Sequence, residues 1–191
     1  MPKLIDHDQV REELLDNCFE LFAREGYASL TMRRIADDLD VSTGTLYHYF
    51  SGKEDLFFQL VEFTISHDLF DAEDALRGAV TPKQRIENLF RFIQERESYF
   101  LNQYFIWIDY CRHEAVDSRK DRRLEEAMEQ YKEGISRILD TRDPQLTEFI
   151  LVTINGLIIQ RLLHRRGPSL EALSRLPRRL IIRYMEQGFQ G

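Results

Sequence analysis

Cysteine is scarce in this sequence: Cys18 and Cys111 are the two present among 191 residues. Both lie among apolar residues at helical spacing, so they are expected to be buried, reduced thiols rather than a redox switch. Long apolar runs are also missing, and no stretch reads as long enough to span a bilayer. The opening MPKLIDHDQVREELL has no signal-peptide core, so the expected location is the cytoplasm. Positive charge is in deficit, with 26 Lys and Arg against 33 Asp and Glu and a net charge of −7. That argues against a protein that coats nucleic acid through charge alone, and leaves specific binding through a local basic surface open. Catalytic constellations are lacking too. There is no nucleophile–base pair, no credibly placed pair of carboxylates, and no metal spacing such as H-E-x-x-H or C-x-x-C. An enzyme is disfavoured, and neither a cofactor nor a metal is expected.

What is present is helical periodicity almost from end to end. No strand pattern, internal repeat or low-complexity tract interrupts it. With 43% hydrophobic and 31% charged residues, the chain is expected to be soluble and all-α, folded as one large or two small domains. A first helix is expected over residues 6–25. Asp6 caps it with Gln9 as reciprocal partner, Val10, Leu14, Cys18, Leu21 and Phe22 form the buried stripe, and Gly26 ends it. Residues 31–53, TMRRIADDLDVSTGTLYHYFSGK, read as two short helices and a tight turn. Thr31 caps the first, which turns Met32, Ile35, Ala36 and Leu39 inward; Ser42 caps the second, which buries Leu46 and Phe50. Thr43, Gly44, Tyr47 and His48 remain on the outer face. This is the pattern of a helix-turn-helix. Ser51 and Glu54 form the S-x-x-E signature of the next helix, whose N-terminus together with Lys53 makes a phosphate site.

Farther on, Thr81-Pro82 and Asp143-Pro144 open helices and Gly167-Pro168 closes one. The charged residues of 117–123 mark a turn. Pro177 should kink the last helical segment or divide it in two. The segment 98–112 is unusually aromatic. Phe90, Ile93, Tyr104, Phe105, Trp107, Ile108, Tyr110 and Cys111 are candidate walls of a ligand pocket, with Arg96, Gln103, His113 and Asn155 as polar anchors; the same stripe also reads as plain core. Such walls suit a small hydrophobic or aromatic molecule. The stretch 149–163, FILVTINGLIIQRLL, is too apolar all round for a monomer surface, and Gly156 within it permits close helix approach.

The runs LTMRRIADDLDV and STGTLYHYFSGKEDLF, preceded by ELFAREGYASLT, closely resemble the DNA-binding region of the TetR family of bacterial transcriptional regulators. The resemblance covers about residues 10–63 strongly, and the remainder in length and helical character. It implies an N-terminal three-helix helix-turn-helix domain (1–52) and a C-terminal helical domain for ligand binding and dimerisation (53–191). It also implies that Thr43, Gly44 and Tyr47 face the major groove. Thr45, Tyr47, His48 and Tyr49 are placed for phosphates, Thr31 and Arg33 reach the flanking backbone, and Lys53 holds the far side. Tyr49 either binds or packs, and Arg34 is read as solvated. The reading helix offers no Asn, Gln, Arg or Lys for a bidentate base contact, so part of the specificity should come from DNA shape. Asp40 stands where such turns usually have Gly, and Asp tolerates a left-handed backbone better than most residues. The resemblance further implies a homodimer formed by 149–163 and the C-terminal helix, on a palindromic double-stranded operator. The leading function is a repressor released by a small ligand. The alternative is a DNA-bound adaptor of the same fold controlled by a protein partner.

Overall fold

The computed structural model describes residues 6–114 and 122–187. Among them all regular structure is α-helical: α1 (His7–Glu25), α2 (Met32–Asp38), α3 (Thr43–Tyr49), α4 (Lys53–Ala75), α5 (Pro82–Glu95), α6 (Glu97–Glu114), α7 (Arg123–Leu139), α8 (Pro144–Leu163) and α9 (Leu170–Gln187). The chain divides into two compact units, Met1–Ser66 with Phe105–Leu124, and His67–Tyr104 with Glu125–Gly191. This division by packing differs from a cut at 52/53: it runs through α4 and α6, so each of these helices serves both units. The turn expected over 117–123 lies largely outside the described residues.

In the first unit, α1 starts where expected. The Asp6 carboxylate accepts the N–H groups of Asp8 and Gln9, while the Gln9 side chain turns to Glu13 instead of reaching back. Leu14, Cys18, Leu21 and Phe22 are buried on one stripe. Burial pushes the Cys18 thiol up to about 12, which keeps it protonated and inert. Cys111 departs from expectation. It is exposed, because its neighbour Tyr110 takes the inward position on α6. The Tyr110 ring stacks on Phe57 at 4.1 Å and meets Tyr27 edge-on at 4.9 Å. Gly26 closes α1 with φ +79°, and a Cβ there would sit 2.9 Å from Asp109 Oδ2. That oxygen accepts the Ala28 N–H at 3.2 Å, so the residue that ends α1 also lets α6 close on the following linker.

The S-x-x-E cap expected at Ser51 is displaced by one position. Gly52 supplies the first helical carbonyl, to Leu56 N–H, and Asp55 instead of Glu54 reaches back. Asp55 Oδ2 accepts both the Ser51 N–H at 2.7 Å and the Ser51 hydroxyl at 3.0 Å. Burial pushes the Asp55 carboxyl up, but these bonds and one from Gln59 hold it below its ordinary value.

The second unit packs Ile86, Phe90, Ile135, Leu139, Ile150 and Ile181 into one core. Helix α5 opens on a complete capping box between Thr81 and Gln84. Helix approach is tightest at Gly134, where a Cβ would come within 2.2 Å of Leu69 Cδ2. Gly156 is different: a Cβ there meets nothing within 4 Å in this chain. Helix α8 ends at Leu163, short of Gly167-Pro168, and Arg161 gathers the loop beyond it. Its Nε donates to Glu97 Oε1 at 2.7 Å and its Nη1 to the Pro168 carbonyl at 3.1 Å. By length and composition α8 is long and apolar enough to cross a membrane, which corrects the expectation that no stretch is. One face of this helix is core, through Leu146, Ile150, Leu151 and Ile158. Another carries exposed Phe149, Val152, Ile159 and Leu163. Helix α9 is a single element running through Pro177, not two helices.

Candidate DNA interface and ligand site

The outer face of the helix-turn-helix is built by two caps and one turn. Thr31 Oγ1 accepts the Arg34 N–H at 3.2 Å and starts α2. Asp40 takes φ 53°, the left-handed value that the turn requires. Ser42 Oγ accepts the Thr45 N–H at 2.9 Å and starts α3. Leu46 and Phe50 are fully buried behind this face. Thr43, Gly44, Tyr47 and His48 are exposed in front, as are Thr31, Arg33 and Arg34. Thr45 is half-buried, its hydroxyl 2.8 Å from Ser42 Oγ. A Cβ on Gly44 would meet nothing closer than Ser42 Oγ at 3.5 Å, so packing within the chain does not require glycine there.

Two candidate residues are more engaged than the sequence implied. Tyr49 is half-buried and its hydroxyl lies 3.0 Å from His7 Nδ1, with the His48 ring edge-on to it at 4.9 Å. It therefore both packs and keeps a polar edge. Lys53 donates to the Tyr27 carbonyl at 3.0 Å and lies 4.0 Å over the Tyr27 ring. Its ammonium is anchored to the α1–α2 linker and half-buried. His7 was missed by sequence reasoning, since a polar residue at a helix start carries no periodic signal.

The candidate pocket residues are divided between the two compact units. Tyr110 belongs to the Phe57–Tyr27 aromatic cluster of the first unit. Phe105, Ile108, Cys111 and His113 are exposed, and Trp107 is half-buried. Phe90 and Ile93 are buried in the apolar core of the second unit. Helical spacing brings one face of α6 inward, and the expected walls were drawn from all of its faces.

A polar cluster in the second unit takes up the remaining candidates. Asp68 on α4 is 2% exposed. Its Oδ2 accepts Gln103 Nε2 at 2.7 Å and the Tyr131 hydroxyl, and Gln103 Nε2 lies 3.2 Å from that hydroxyl. Tyr104 donates to Asn155 Oδ1. Arg96 pairs with Asp71 and lies over the rings of Tyr99 and Phe92, at 4.7 and 5.3 Å. Burial is the main influence on Asp68 and raises its carboxyl, against hydrogen bonds from Tyr131, Gln103 and Tyr99 and the charge of Arg96. Burial and the same carboxylate raise Tyr99, Tyr104 and Tyr131, so these hydroxyls stay protonated. Gln103 and Asn155 are thus engaged in hydrogen bonds within the chain, alongside Asp68 and Tyr131, which were not among the expected anchors. Asp68 did leave a signal: it falls in step with buried Val61, Ile65 and Ala72 on α4, an acid on an apolar stripe.

With both arrangements described, comparison decides the class. The sequence profile of the bacterial regulatory proteins of the tetR family matches residues 14–60, the three helices of the DNA-reading face and the start of α4. Over this region the chain is similar to the DNA-binding part of the TetR family. The chain is 26% identical to the HTH-type transcriptional regulator BetI of Rhizobium meliloti over 90% of its own length and 87% of that protein's. Its fold matches a transcriptional regulator from Saccharomonospora viridis, solved in complex with choline, with a TM-score of 0.71 and 19% identity over 95% of this chain and 98% of that one. It also matches FadR of Bacillus subtilis, solved in complex with stearoyl-CoA, with a TM-score of 0.68 and 21% identity over 88% and 96% of the two chains. The relatives it matches are transcriptional regulators.

Proposed function

We propose that this regulator is a cytoplasmic repressor that binds a palindromic operator as a homodimer and is released by a small molecule. The observation that carries this reading is the outer face of α3, where Thr43, Gly44, Tyr47 and His48 are exposed over fully buried Leu46 and Phe50. Thr43, Gly44 and Tyr47 read the major groove, while Thr31, Arg33, Thr45, His48, Tyr49 and Lys53 set the register on phosphates. Tyr49 does so with His7 holding its hydroxyl. Lys53 reaches phosphate from its anchored position, so its contribution is more positional than electrostatic.

Dimerisation uses the apolar residues that α8 and α9 leave exposed: Phe149, Val152, Ile159 and Leu163 on the first, Leu180 and Tyr184 on the second. The open space at Gly156 suits a helix of the second copy. Two reading helices about 34–36 Å apart then enter successive major grooves. A ligand that favours another spacing weakens operator binding by its differential affinity for the two states. Both α4 and α6 carry residues of each compact unit, so either helix can transmit that change. The relatives bind chemically different molecules, choline in one case and stearoyl-CoA in another. A buried polar cluster favours a small-molecule effector over an adaptor with a filled apolar core.

The test is an electrophoretic mobility shift with DNA from upstream of the protein's own gene, for the wild type and Tyr47→Ala. A discrete shift that the substitution abolishes is expected. A folded dimer that shifts neither this DNA nor any sequence selected from a random pool would overturn the reading.

A further inference from the structure

Of the 5 histidines in the chain, two meet at the end of α3. His7 opens α1 and His48 lies on α3; both are exposed, and their ring centroids are 5.5 Å apart. Tyr49 joins them. Its hydroxyl is 3.0 Å from His7 Nδ1, and its ring is edge-on to His48 at 4.9 Å. The remaining histidines, His67, His113 and His164, lie on none of α1, α2 and α3.

The charged groups that flank this cluster are already engaged. Asp6 spends its carboxylate on the cap of α1, and Asp8 pairs with Arg11, one turn beyond His7. On α4, Gln59 donates to both the Tyr49 carbonyl and Asp55, and Asp55 holds Ser51. Fixed positive charge is thin on the reading face. Arg24 is bound to Glu25 and Asp38, and Lys53 to the Tyr27 carbonyl, while Arg33 and Arg34 are exposed on α2. Histidine is the side chain whose ordinary ionisation falls between pH 5 and 8, so part of the charge on this face is set by pH.

Donor chemistry points the same way. A phosphate oxygen accepts hydrogen bonds and donates none. With His7 neutral, its bond to Tyr49 uses either the Tyr49 O–H or the Nδ1–H, and a single outward donor remains. With His7 protonated, Nδ1–H donates to the Tyr49 oxygen, and both Nε2–H and the Tyr49 O–H can donate outward. Protonation thus adds a donor as well as a charge. Two imidazolium rings at this spacing repel, and an anion beside both relieves the repulsion.

We propose that His7, His48 and Tyr49 form a phosphate site for the operator backbone, filled with uptake of protons by the two histidines. His7 extends the DNA interface from the helix-turn-helix to the start of α1, and its Nδ1 positions the Tyr49 hydroxyl. This deepens the DNA-binding part of the proposed function and rests on it. The sign follows from linkage. Protons bind the complex more tightly than the free protein, so operator affinity rises as pH falls through the histidine range.

The experiment is fluorescence anisotropy of the full-length protein with the upstream duplex shifted in the mobility assay, from pH 6 to pH 8 at constant ionic strength. Affinity is expected to be at least fivefold tighter at pH 6 than at pH 8. In the double variant His7→Gln/His48→Gln this ratio should fall below about twofold, since glutamine keeps a donor and an acceptor but does not titrate. The salt dependence of the wild type should also be steeper at pH 6, because added cations release more counterions. Calorimetry of the wild type at pH 7 in PIPES and in imidazole buffer needs no variant, and net proton uptake on binding is expected even if the double variant folds poorly. An affinity independent of pH, no proton uptake, or a folded double variant with the wild-type pH dependence would each overturn the site. A loss of affinity in the variant that is equal at every pH would make the cluster a structural staple and overturn it too. All of these come from a protein that still binds its operator, so the DNA-reading face outlives them. A folded dimer that binds no duplex at any pH sinks that reading and the proton site together.

Discussion

The two compact units solve the same packing problem with different chemistry. The first buries an almost wholly apolar interior, with Phe22, Tyr27, Phe57 and Tyr110 in mutual ring contact. The second has a comparable apolar core but adds a buried carboxylate, a buried amide and three tyrosines. An apolar interior is cheap to satisfy and holds an outer reading face steady. A buried polar network costs stability wherever one atom lacks a partner. The contrast separates an interior set by ring packing from one that also depends on buried hydrogen bonds.

The largest expected effect breaks the apolar side of this contrast. Phe57→Ala removes the ring that stacks on Tyr110 and should destabilise the protein by about 3–5 kcal/mol, read as a lowered melting temperature. A loss below about 1 kcal/mol would mean the cluster is not a core. Next is Gly26→Ala, which forces a side chain into a positive φ and against Asp109. A loss of about 2 kcal/mol is expected by chemical denaturation, and Ala tolerated without loss would contradict the close contact.

Asp68→Asn sharpens the other side. Removing a charge that burial disfavours should raise the melting temperature by an amount equivalent to about 1 kcal/mol at neutral pH. The sign with pH follows from the raised carboxyl. Below the ordinary carboxylate range Asp68 is protonated both folded and unfolded and carries no penalty. As pH rises from there towards its folded-state value, the wild type loses stability that the variant keeps. Melting curves of the two proteins that stay parallel from acid to neutral pH would contradict this. The smallest effect is Gly44→Ala. Space within the chain is sufficient and alanine favours helix by up to about 1 kcal/mol, so stability should rise slightly while operator affinity falls. Unchanged affinity would remove Gly44 from the DNA interface.

Much of the first unit was readable before any coordinates. Its caps at Asp6, Thr31 and Ser42, its αL residue at Asp40 and its inward residues Ile35, Leu46 and Phe50 depend on neighbours within a turn or two. The displaced cap at Ser51 shows the resolution of such reasoning: a one-residue shift of the helix start exchanges Glu54 for Asp55. The packing of α6 was less accessible, because its aromatic composition does not say which ring faces which partner. Tyr104 and Tyr110 lie on one helix yet fall in different units.

By itself the sequence determined the helix content and the helix-turn-helix with its caps and outer face, because each rests on local spacing. Only the tertiary structure decided that Tyr110 stacks on Phe57, that Cys111 is exposed, and that Lys53 is tied to Tyr27. It alone assembled Asp68, Gln103 and Tyr131 from three helices around one carboxylate. The physical reason is distance along the chain. Caps and stripes are set by bonds and contacts within a few residues, whereas a buried polar cluster forms only when helices far apart in sequence pack together and exclude water.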